Sequence, residues 1–305
     1  MLRYILSRLV QLVITIFIVS LIVFFLVRLK GDPISVIAPP TFNVEQVEKL
    51  RHAWGFDKPL IEQYLIFLRK AATGDFGLSI QHRVPAMGLV LERLKWTYLL
   101  AGVSALVALV IAIPLGVVSA VKRNSVFDLL ATVLATAGTA MPGFWLGIML
   151  MLIFSVRLRL LPAFGAQEPS SIIMPALALG TGMAARISRL TRSSMLETLG
   201  QDYIRTAYSK GLKYRTVVIR HALRNGLIPV VTAFGLQLGW LLGGSVVIES
   251  VFSWPGLGRL MIESIHIRDI TIVQAGLLFF ATSFVLINLA VDIIYTFLDP
   301  RVRYD

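Results

Sequence analysis

The sequence contains no cysteine, and only 15% of its 305 residues are charged. Without cysteine the chain has no disulfides, no thiol catalysis and no iron–sulfur ligation. It also contains no GxxxxGK[ST] pattern, so it does not hold ATP by a P-loop. The four histidines, at positions 52, 82, 221 and 266, lack partners four residues away. We therefore expect no catalytic residues, no protein metal site and no bound cofactor, and we predict that the chain is not an enzyme.

Apolar residues dominate the chain. They make up 56% of it, and the mean hydropathy is +0.78, far above the range of soluble proteins. A net charge of +12 would suggest nucleic acid in a soluble chain, but here the basic residues lie mostly between apolar runs. The anionic inner leaflet of a membrane and a protein partner explain the charge better. The composition thus indicates a multi-spanning membrane protein that contacts lipid and not nucleic acid.

Six apolar runs are long enough to cross a bilayer, provided that the short fourth run is extended through the arginines that follow it. The runs cover residues 9–27, 97–121, 127–156, 172–196, 227–249 and 270–297. Met141-Pro142-Gly143 should break or kink the third. The polar stretch after the first run is predicted to be an external subdomain with helices at 43–54 and 60–71. The predicted fold is therefore an all-α membrane protein of six transmembrane helices.

The predicted division of the chain follows these runs. Residues 1–30 form the N-terminal segment and first transmembrane helix, 31–96 the external subdomain, 97–300 the main transmembrane domain and 301–305 a tail. A cleaved signal peptide is the alternative interpretation of the first run. Lysine and arginine are most abundant between the fourth and fifth runs, and Arg301 and Arg303 follow the sixth. By the positive-inside rule, we expect that loop and both termini to lie in the cytoplasm.

The basic loop, residues 186–229, has nine lysines or arginines against two acids. Within it, four residues share the apolar face of a predicted helix: Tyr203, Ile204, Ala207 and Tyr208. Gly211 should end that helix, since glycine accepts the left-handed conformation of a C-terminal cap. A second helical pattern follows at 212–223. Two short helices joined at a glycine are typical of a docking surface, and a solvated basic segment held on anionic lipid is the alternative.

This loop resembles the EAA loop of ABC importer membrane subunits, in the form found in the dipeptide, oligopeptide, glutathione and nickel permease group. The matching letters are DYIRTAYSKG at 202–211 and RHALRNGLIP at 220–229. Arg205-Thr206-Ala207 stands in the Glu-Ala-Ala place, so Arg205 replaces the expected glutamate. Three further motifs are similar to that group: Gly31-Asp32-Pro33, GDFGLS at 74–79 and WPGLGR at 254–259. The resemblance therefore extends along the whole chain.

The resemblance implies a permease subunit of an ATP-driven importer in the bacterial inner (plasma) membrane. Its expected partners are a second, homologous permease subunit, two ATPase subunits that bind the ATP, an external solute-binding protein and membrane lipid. The loop at 186–226 would carry the coupling helix between the fourth and fifth transmembrane helices. The expected contacts with the ATPase are Tyr203, Arg205, Thr206, Ala207, Tyr208 and Gly211. The solute is expected to be peptide-like, and dipeptides, oligopeptides, glutathione and nickel chelates all remain open.

A second class of function is an ion-gradient-driven secondary transporter or channel. That class requires charged or unwound groups at the midplane and an internal repeat, and the spans show almost no central charge and no clear repeat. Three acids near the spans, Asp128, Glu249 and Asp292, lie near predicted interfaces where water should reach them. Span position alone suggests five residues of a translocation pathway: Met141, Pro142, Phe144, Gln237 and Trp240.

Overall fold

The computed structural model describes residues 2–28 and 42–298, and helices form nearly all the regular structure in that part. The longer helices are α1 (Leu2–Arg28), α2 (Val44–Trp54), α3 (Leu60–Ala72), α4 (Ala86–Val121), α5 (Val126–Ala140), α6 (Gly143–Leu150), α7 (Ile173–Leu199), α8 (Asp202–Ser209), α9 (Ile228–Val251), α10 (Leu257–His266) and α11 (Ile270–Leu298). The predicted all-α class is confirmed. Gly31-Asp32-Pro33, Arg301, Arg303 and the rest of the tail at 301–305 lie outside the described residues.

Five of the described helices are long and apolar enough to cross a membrane. They are Leu6–Phe25, Ala86–Val121, Pro169–Leu199, Ile228–Val251 and Ile270–Ile293. A sixth span is present if the bent pair Val126–Ala140 and Gly143–Arg157 is counted as one, because the two helices together are long and apolar enough to cross a membrane. Five of the six predicted transmembrane helices are thus continuous helices, and the sixth corresponds to a bent pair that forms either a broken span or a re-entrant loop.

The broken pair turns through 107° at Met141 and Pro142. Met141 has φ −80° and ψ 125°, the extended backbone that a residue before proline prefers to the helical one. Pro142 cannot donate a backbone hydrogen bond, and α6 begins with the next residue, Gly143. After α6 the chain continues as a π-helical turn, Met151–Arg157. The break predicted for the Met141-Pro142-Gly143 triplet is therefore present.

One compact unit consists of Met1–Trp96 together with Gly256–Leu286. Its α2 begins at a capping box, in which Asn43 and Gln46 exchange hydrogen bonds between side chain and backbone. The same helix ends at Gly55, which has the left-handed conformation with φ 70°. The two helices predicted for the polar stretch are thus present as α2 and α3.

Helix α4 begins at Ala86, before the predicted start of the second transmembrane helix at residue 97. Charged residues, Glu92, Arg93 and Lys95, lie just before residue 97, but Ala86, Val90 and Leu94 are spaced by four and lie on one buried face. They belong to the core of the unit, which contains Ala86, Val90, Leu94, Leu257, Leu260, Met261, Ile272 and Ala275. Burial of this apolar face extends the helix through the polar residues on its other side.

The other compact unit consists of Thr97–Pro255 and Ile287–Asp305. Helix α7 lies at its centre and packs against α5, α6 and α9. Small residues permit this close packing, since a Cβ atom on Gly180 would lie 2.7 Å from the carbonyl oxygen of Ser104. That distance is too short for a real side chain. The close helix contact predicted from the small residues of the fourth run is therefore confirmed at Gly180.

Candidate functional site

Helix α8 is the first helix of the basic loop after α7, and it is amphipathic. Ile204 and Ala207 are 1% and 6% exposed, because they pack into a core shared with the ends of neighbouring helices. The other members of this core are Ala120, Met195, Val217, Val218 and Ala222. Ala207 therefore points into the protein's own core, although the sequence placed it on a face offered to a partner. A helix of eight residues is marginal alone, so this packing holds α8 in place.

The rest of the surface of α8 is open. Four of the predicted contact residues are exposed on it: Tyr203, Arg205, Thr206 and Tyr208. The amide nitrogen of Asn225 donates to the Tyr203 hydroxyl oxygen over 2.9 Å, and the Tyr208 ring stacks on Tyr214 with 6.3 Å between centroids. Partial burial, followed by the proximity of Tyr214, raises the pKa of the Tyr208 hydroxyl, so this group stays a hydrogen-bond donor. The exposed surface thus presents Tyr203 and Tyr208, each oriented by a neighbouring side chain, beside the guanidinium of Arg205.

Gly211 follows α8 with a φ of 77°, which is the left-handed region. Its N–H donates to the carbonyl oxygen of Tyr208 over 2.9 Å. A Cβ atom at this position would meet no other atom within 4 Å, so the site requires glycine for its backbone conformation and not for space. The left-handed glycine predicted for the end of this helix is confirmed.

The chain after Gly211 is helical but irregular. Tyr214–Thr216 and Leu223–Gly226 are α-helical, and Val217–Ala222 between them is a π-helical turn. The sequence pattern predicted one regular helix at 212–223, so the π-helical turn is a departure from it. Such turns are rare, and they occur mostly as single turns within α-helices. Here the wide turn buries Val217, Val218 and Ala222 in the core beneath α8 and leaves Ile219 exposed.

A cavity of about 330 Å³ lies between α5, α6, α7 and α9. Four of the five residues suggested for a translocation pathway line it: Met141, Phe144, Gln237 and Trp240. Pro142 is outside the lining and forms the corner that carries Met141 and Gly143 to the cavity wall. The structure thus brings these residues together, and their role in transport stays a prediction.

Arg186 also lines this cavity, and it is the one charged residue among the described residues that do so. Its Nε donates to Gln237 Oε1 over 2.6 Å. The sequence placed Arg186 at the inner interface because the apolar run ends just before it. In the structure Arg186 is at the midpoint of α7, since that helix runs unbroken from Ile173 to Leu199. The missed signal is helical spacing, because one face of α7 supplies Leu179, Gly182, Met183 and Arg186 to the lining.

Asp128 forms a buried ion pair with Arg192. The Arg192 Nε lies 2.7 Å from Oδ1 of Asp128, and Nη2 lies 2.9 Å from Oδ2. The Ser119 hydroxyl and the Asn124 N–H also donate to this carboxylate. Four donors therefore satisfy a carboxylate that is 5% exposed.

The acids near the spans are less accessible than the sequence suggested. Asp128 is buried, and Glu249 is 0% exposed and accepts a hydrogen bond from the Thr97 hydroxyl over 2.7 Å. The expectation that water reaches them is wrong for these two, because neighbouring helices cover both carboxylates. Asp292 is half-buried. Within residues 2–28 and 42–298, no three His, Cys, Asp or Glu side chains lie close enough together to hold a metal ion.

Two family models match the chain. Residues 112–304 match the binding-protein-dependent transport system inner membrane component, and residues 1–101 match the N-terminal part of the membrane component of such systems. The chain therefore belongs to the family of membrane permease subunits of ABC importers. Separate ATPase subunits hydrolyse the ATP in this family, so the subunit itself is not an enzyme. Of the two function classes that the sequence suggested, the ATP-driven importer is the one confirmed.

Close relatives define the group within this family. The chain is 43% identical to the glutathione transport system permease protein GsiC of Escherichia coli (strain K12), over 305 residues and the full length of both proteins. It is also 43% identical, over the same lengths, to GsiC of Shigella dysenteriae serotype 1 (strain Sd197). The chain is thus an importer permease of the peptide and glutathione group, as its motifs predicted.

Solved structures share the fold. A chain of the MetNI methionine ABC transporter in inward-facing conformations matches with a TM-score of 0.58 at 22% identity, covering 70% of this chain and 97% of that one. A chain of an amino acid ABC transporter with histidines matches with a TM-score of 0.51 at 16% identity, covering 70% and 94%. At these identities the likeness shows the fold alone, and it is the fold of an importer permease.

Proposed function

We propose that this chain is one half of a heterodimeric membrane pore, in which α8 docks on an ATPase subunit and the cavity forms part of the solute path. The two-sided packing of α8 carries the docking role. Its inner face is fixed by Ile204 and Ala207, while its outer face is exposed. A force applied to α8 is therefore delivered to the core that it shares with the ends of α4 and α7. Rigid-body movement of these helices would alternate the access of the pathway.

The exposed residues of α8 make the proposed contact with the ATPase subunit. Arg205 and Asp202 lie 3.6 Å apart, and their side chains are 79% and 96% exposed, so this pair contributes little to the fold. The guanidinium of Arg205 is thus available to an acidic residue of the ATPase subunit. In the common form of the motif, a glutamate occupies the position of Arg205. Ala207 acts differently, because it holds α8 on the core. Its contribution to docking is positional.

The proposed assembly has a second, homologous permease subunit, two ATPase subunits that hold the ATP and an external solute-binding protein. It lies in a bacterial inner membrane, with both termini and α8 on the cytoplasmic side. The six basic residues between α7 and α9, at 205–224, support that orientation. The solute is peptide-like, and glutathione is the first to test, because full-length relatives are glutathione permeases.

Substitution of Gly211 tests the coupling role. Gly211→Val places a β-branched residue at a φ of 77°, at a cost of about 1–3 kcal/mol, although its Cβ atom would meet no other atom within 4 Å. We expect the complete importer in proteoliposomes to keep hydrolysing ATP, while glutathione uptake per ATP falls at least about tenfold.

Gly211→Asn is the matched control for this substitution, because asparagine tolerates the left-handed conformation. We expect the asparagine variant to couple almost normally. Normal coupled uptake by the valine variant would count heavily against a coupling role for this glycine.

Substitutions in α8 test the docking contact. Tyr208→Ala removes an aromatic ring from a residue that is 40% exposed, so less ATPase subunit should co-purify with this variant. Tyr98→Ala is the control, because Tyr98 lies on α4 and is equally exposed, at 41%. Ala207→Asp should weaken recovery further by another route, since a carboxylate in the core displaces α8. Unchanged ATPase recovery with both α8 variants would refute the contact.

A further inference from the structure

Arg186 is a charge in the middle of a candidate span. It is at the midpoint of α7, and its partner Gln237 is near the midpoint of α9. Ionisable groups so far from helix ends are costly in a membrane and commonly mark solute or ion paths. Packing of α7 does not require the side chain, because Arg186 is exposed while its neighbours Ala185 and Ile187 are 6% and 0% exposed. A position with so high a cost indicates a function.

The guanidinium of Arg186 is only partly engaged. A guanidinium has five N–H donors, and the contact with Gln237 uses the one on Nε. Among the described residues, the two Nη groups have no acceptor and Arg186 forms no ion pair. The described lining of the cavity contains no aspartate or glutamate. The cavity therefore holds one positive charge that the lining leaves uncompensated.

We propose that the Nη groups of Arg186 bind the carboxylate of the solute as it passes through the cavity. The planar guanidinium offers two parallel N–H groups that match the two oxygens of a carboxylate. Gln237 holds the Nε edge and leaves the Nη end for the solute. Unmodified peptides and glutathione all carry a free carboxylate. The inference rests on the proposed function, because it takes the cavity as part of the solute path.

The rest of the lining suits the body of such a solute. Met141, Phe144 and Trp240 supply apolar surface, and Thr139 and Thr181 supply hydroxyl oxygens. The volume of about 330 Å³ is in the range of small-molecule sites. A cavity with one guanidinium and apolar walls can hold solutes with varied side chains, but it requires an anionic group on each of them. The cavity would thus select solutes that carry a carboxylate, and their side chains would be recognised by another part of the importer.

The phosphate of an anionic lipid offers similar chemistry from another source. Trp240 is 73% exposed, so the mouth of the cavity is open in the single chain. We assign the site to the solute because Arg186 lines a cavity between four helices and Gln237 of the same lining holds its Nε, whereas lipid phosphates lie at the membrane surfaces. The vesicle composition in the experiment distinguishes the two sources.

The test uses the complete importer with its binding protein and measures glutathione uptake in two sets of proteoliposomes, one of zwitterionic phosphatidylcholine alone and one that also contains an anionic phospholipid. Arg186→Gln should lower uptake at least about tenfold, the value of one charge-assisted contact. Arg186→Lys keeps the charge without the fork and should give an intermediate rate. Arg189→Gln is the matched control, because Arg189 is an exposed arginine of α7 outside the cavity lining, and uptake should change by less than about twofold. Gel filtration of each variant checks that the complex is assembled.

Several outcomes would overturn the assignment: wild-type uptake with Arg186→Gln, an equal loss with Arg189→Gln, or a loss that appears only in vesicles with anionic lipid. The last of these would assign the cation to the headgroup of an anionic lipid. If the Arg186→Gln complex does not assemble, Arg186→Lys tests the proposal instead. Uptake below the wild-type rate would then support binding of the carboxylate by the two Nη groups, and uptake at the wild-type rate would overturn it. A wild-type importer that hydrolyses ATP but moves neither glutathione, dialanine nor trialanine would remove the proposed function itself. That failure is separate, because it appears before any substitution.

Discussion

Arg186 and Arg192 lie on the same helix, yet their guanidinium groups have opposite environments. Arg192 gives two hydrogen bonds to the Asp128 carboxylate, which also accepts from Ser119 and Asn124. Arg186 gives one hydrogen bond to a neutral amide and meets no acid in the described lining of its cavity. The charge of Arg192 is thus compensated within a hydrogen-bonded network, and the charge of Arg186 is not compensated by an acidic side chain of that lining.

The two environments separate a structural charge from a functional one. Asp128 is 5% exposed, so its carboxylate needs the cation to offset the loss of water. The exposed guanidinium of Arg186 leaves no buried carboxylate behind when it is removed. The comparison therefore predicts which substitutions damage the fold and which damage transport.

Arg192→Leu should have the largest effect on stability. It leaves the Asp128 carboxylate buried without its cation, and we expect a loss of about 3 kcal/mol, near the lower end for buried pairs because 31% of the Arg192 side chain is exposed. The thermal unfolding midpoint of the purified complex measures this loss, with Arg189→Leu as the control on the same helix. An unchanged midpoint would mean that the enclosed pair does not stabilise the fold.

Replacing both partners should be less harmful than replacing one. The double variant Asp128→Leu with Arg192→Leu removes the stranded charge, and we expect it to regain about 1–2 kcal/mol relative to Arg192→Leu. Part of the loss remains, because Ser119 and Asn124 lose their acceptor. The same unfolding measurement decides, and a double variant less stable than Arg192→Leu would contradict the account.

Arg186→Leu should have the smallest effect on stability. No buried partner is left unpaired, so the unfolding midpoint should correspond to a change of less than about 1 kcal/mol, while glutathione uptake is lost. Unfolding and uptake are measured on the same preparation. A large loss of stability would erase the contrast between the two arginines.

Local rules were sufficient where neighbouring residues decide the structure. The boundaries of α2 follow from Asn43, Gln46 and Gly55, which cap it without help from distant residues. The turn at Gly211 follows equally from the preference of glycine for positive φ. The break at Pro142 could be predicted because proline removes a donor and restricts the residue before it.

Tertiary packing decided what the sequence could not. The apolar arc of α8 spans Tyr203 to Tyr208, and the pattern does not tell which part of that arc meets the core. Contacts with Met195 and Val217 turn Ile204 and Ala207 inward and leave the two tyrosines outside. The position of Arg186 in a cavity was missed in the same way, because α7 continues as one helix beyond its apolar run.

The bent pair bears on how the protein is made. Val126–Ala140 and Gly143–Arg157 are each at most about 22 Å long, short of the roughly 30 Å of hydrocarbon in a bilayer. Neither part is long enough to be a span of its own. Both α5 and α6 pack on α7, which the ribosome makes later. This segment therefore reaches its final packing only after α7 has been made, so a helix synthesised later stabilises two helices that precede it in the chain.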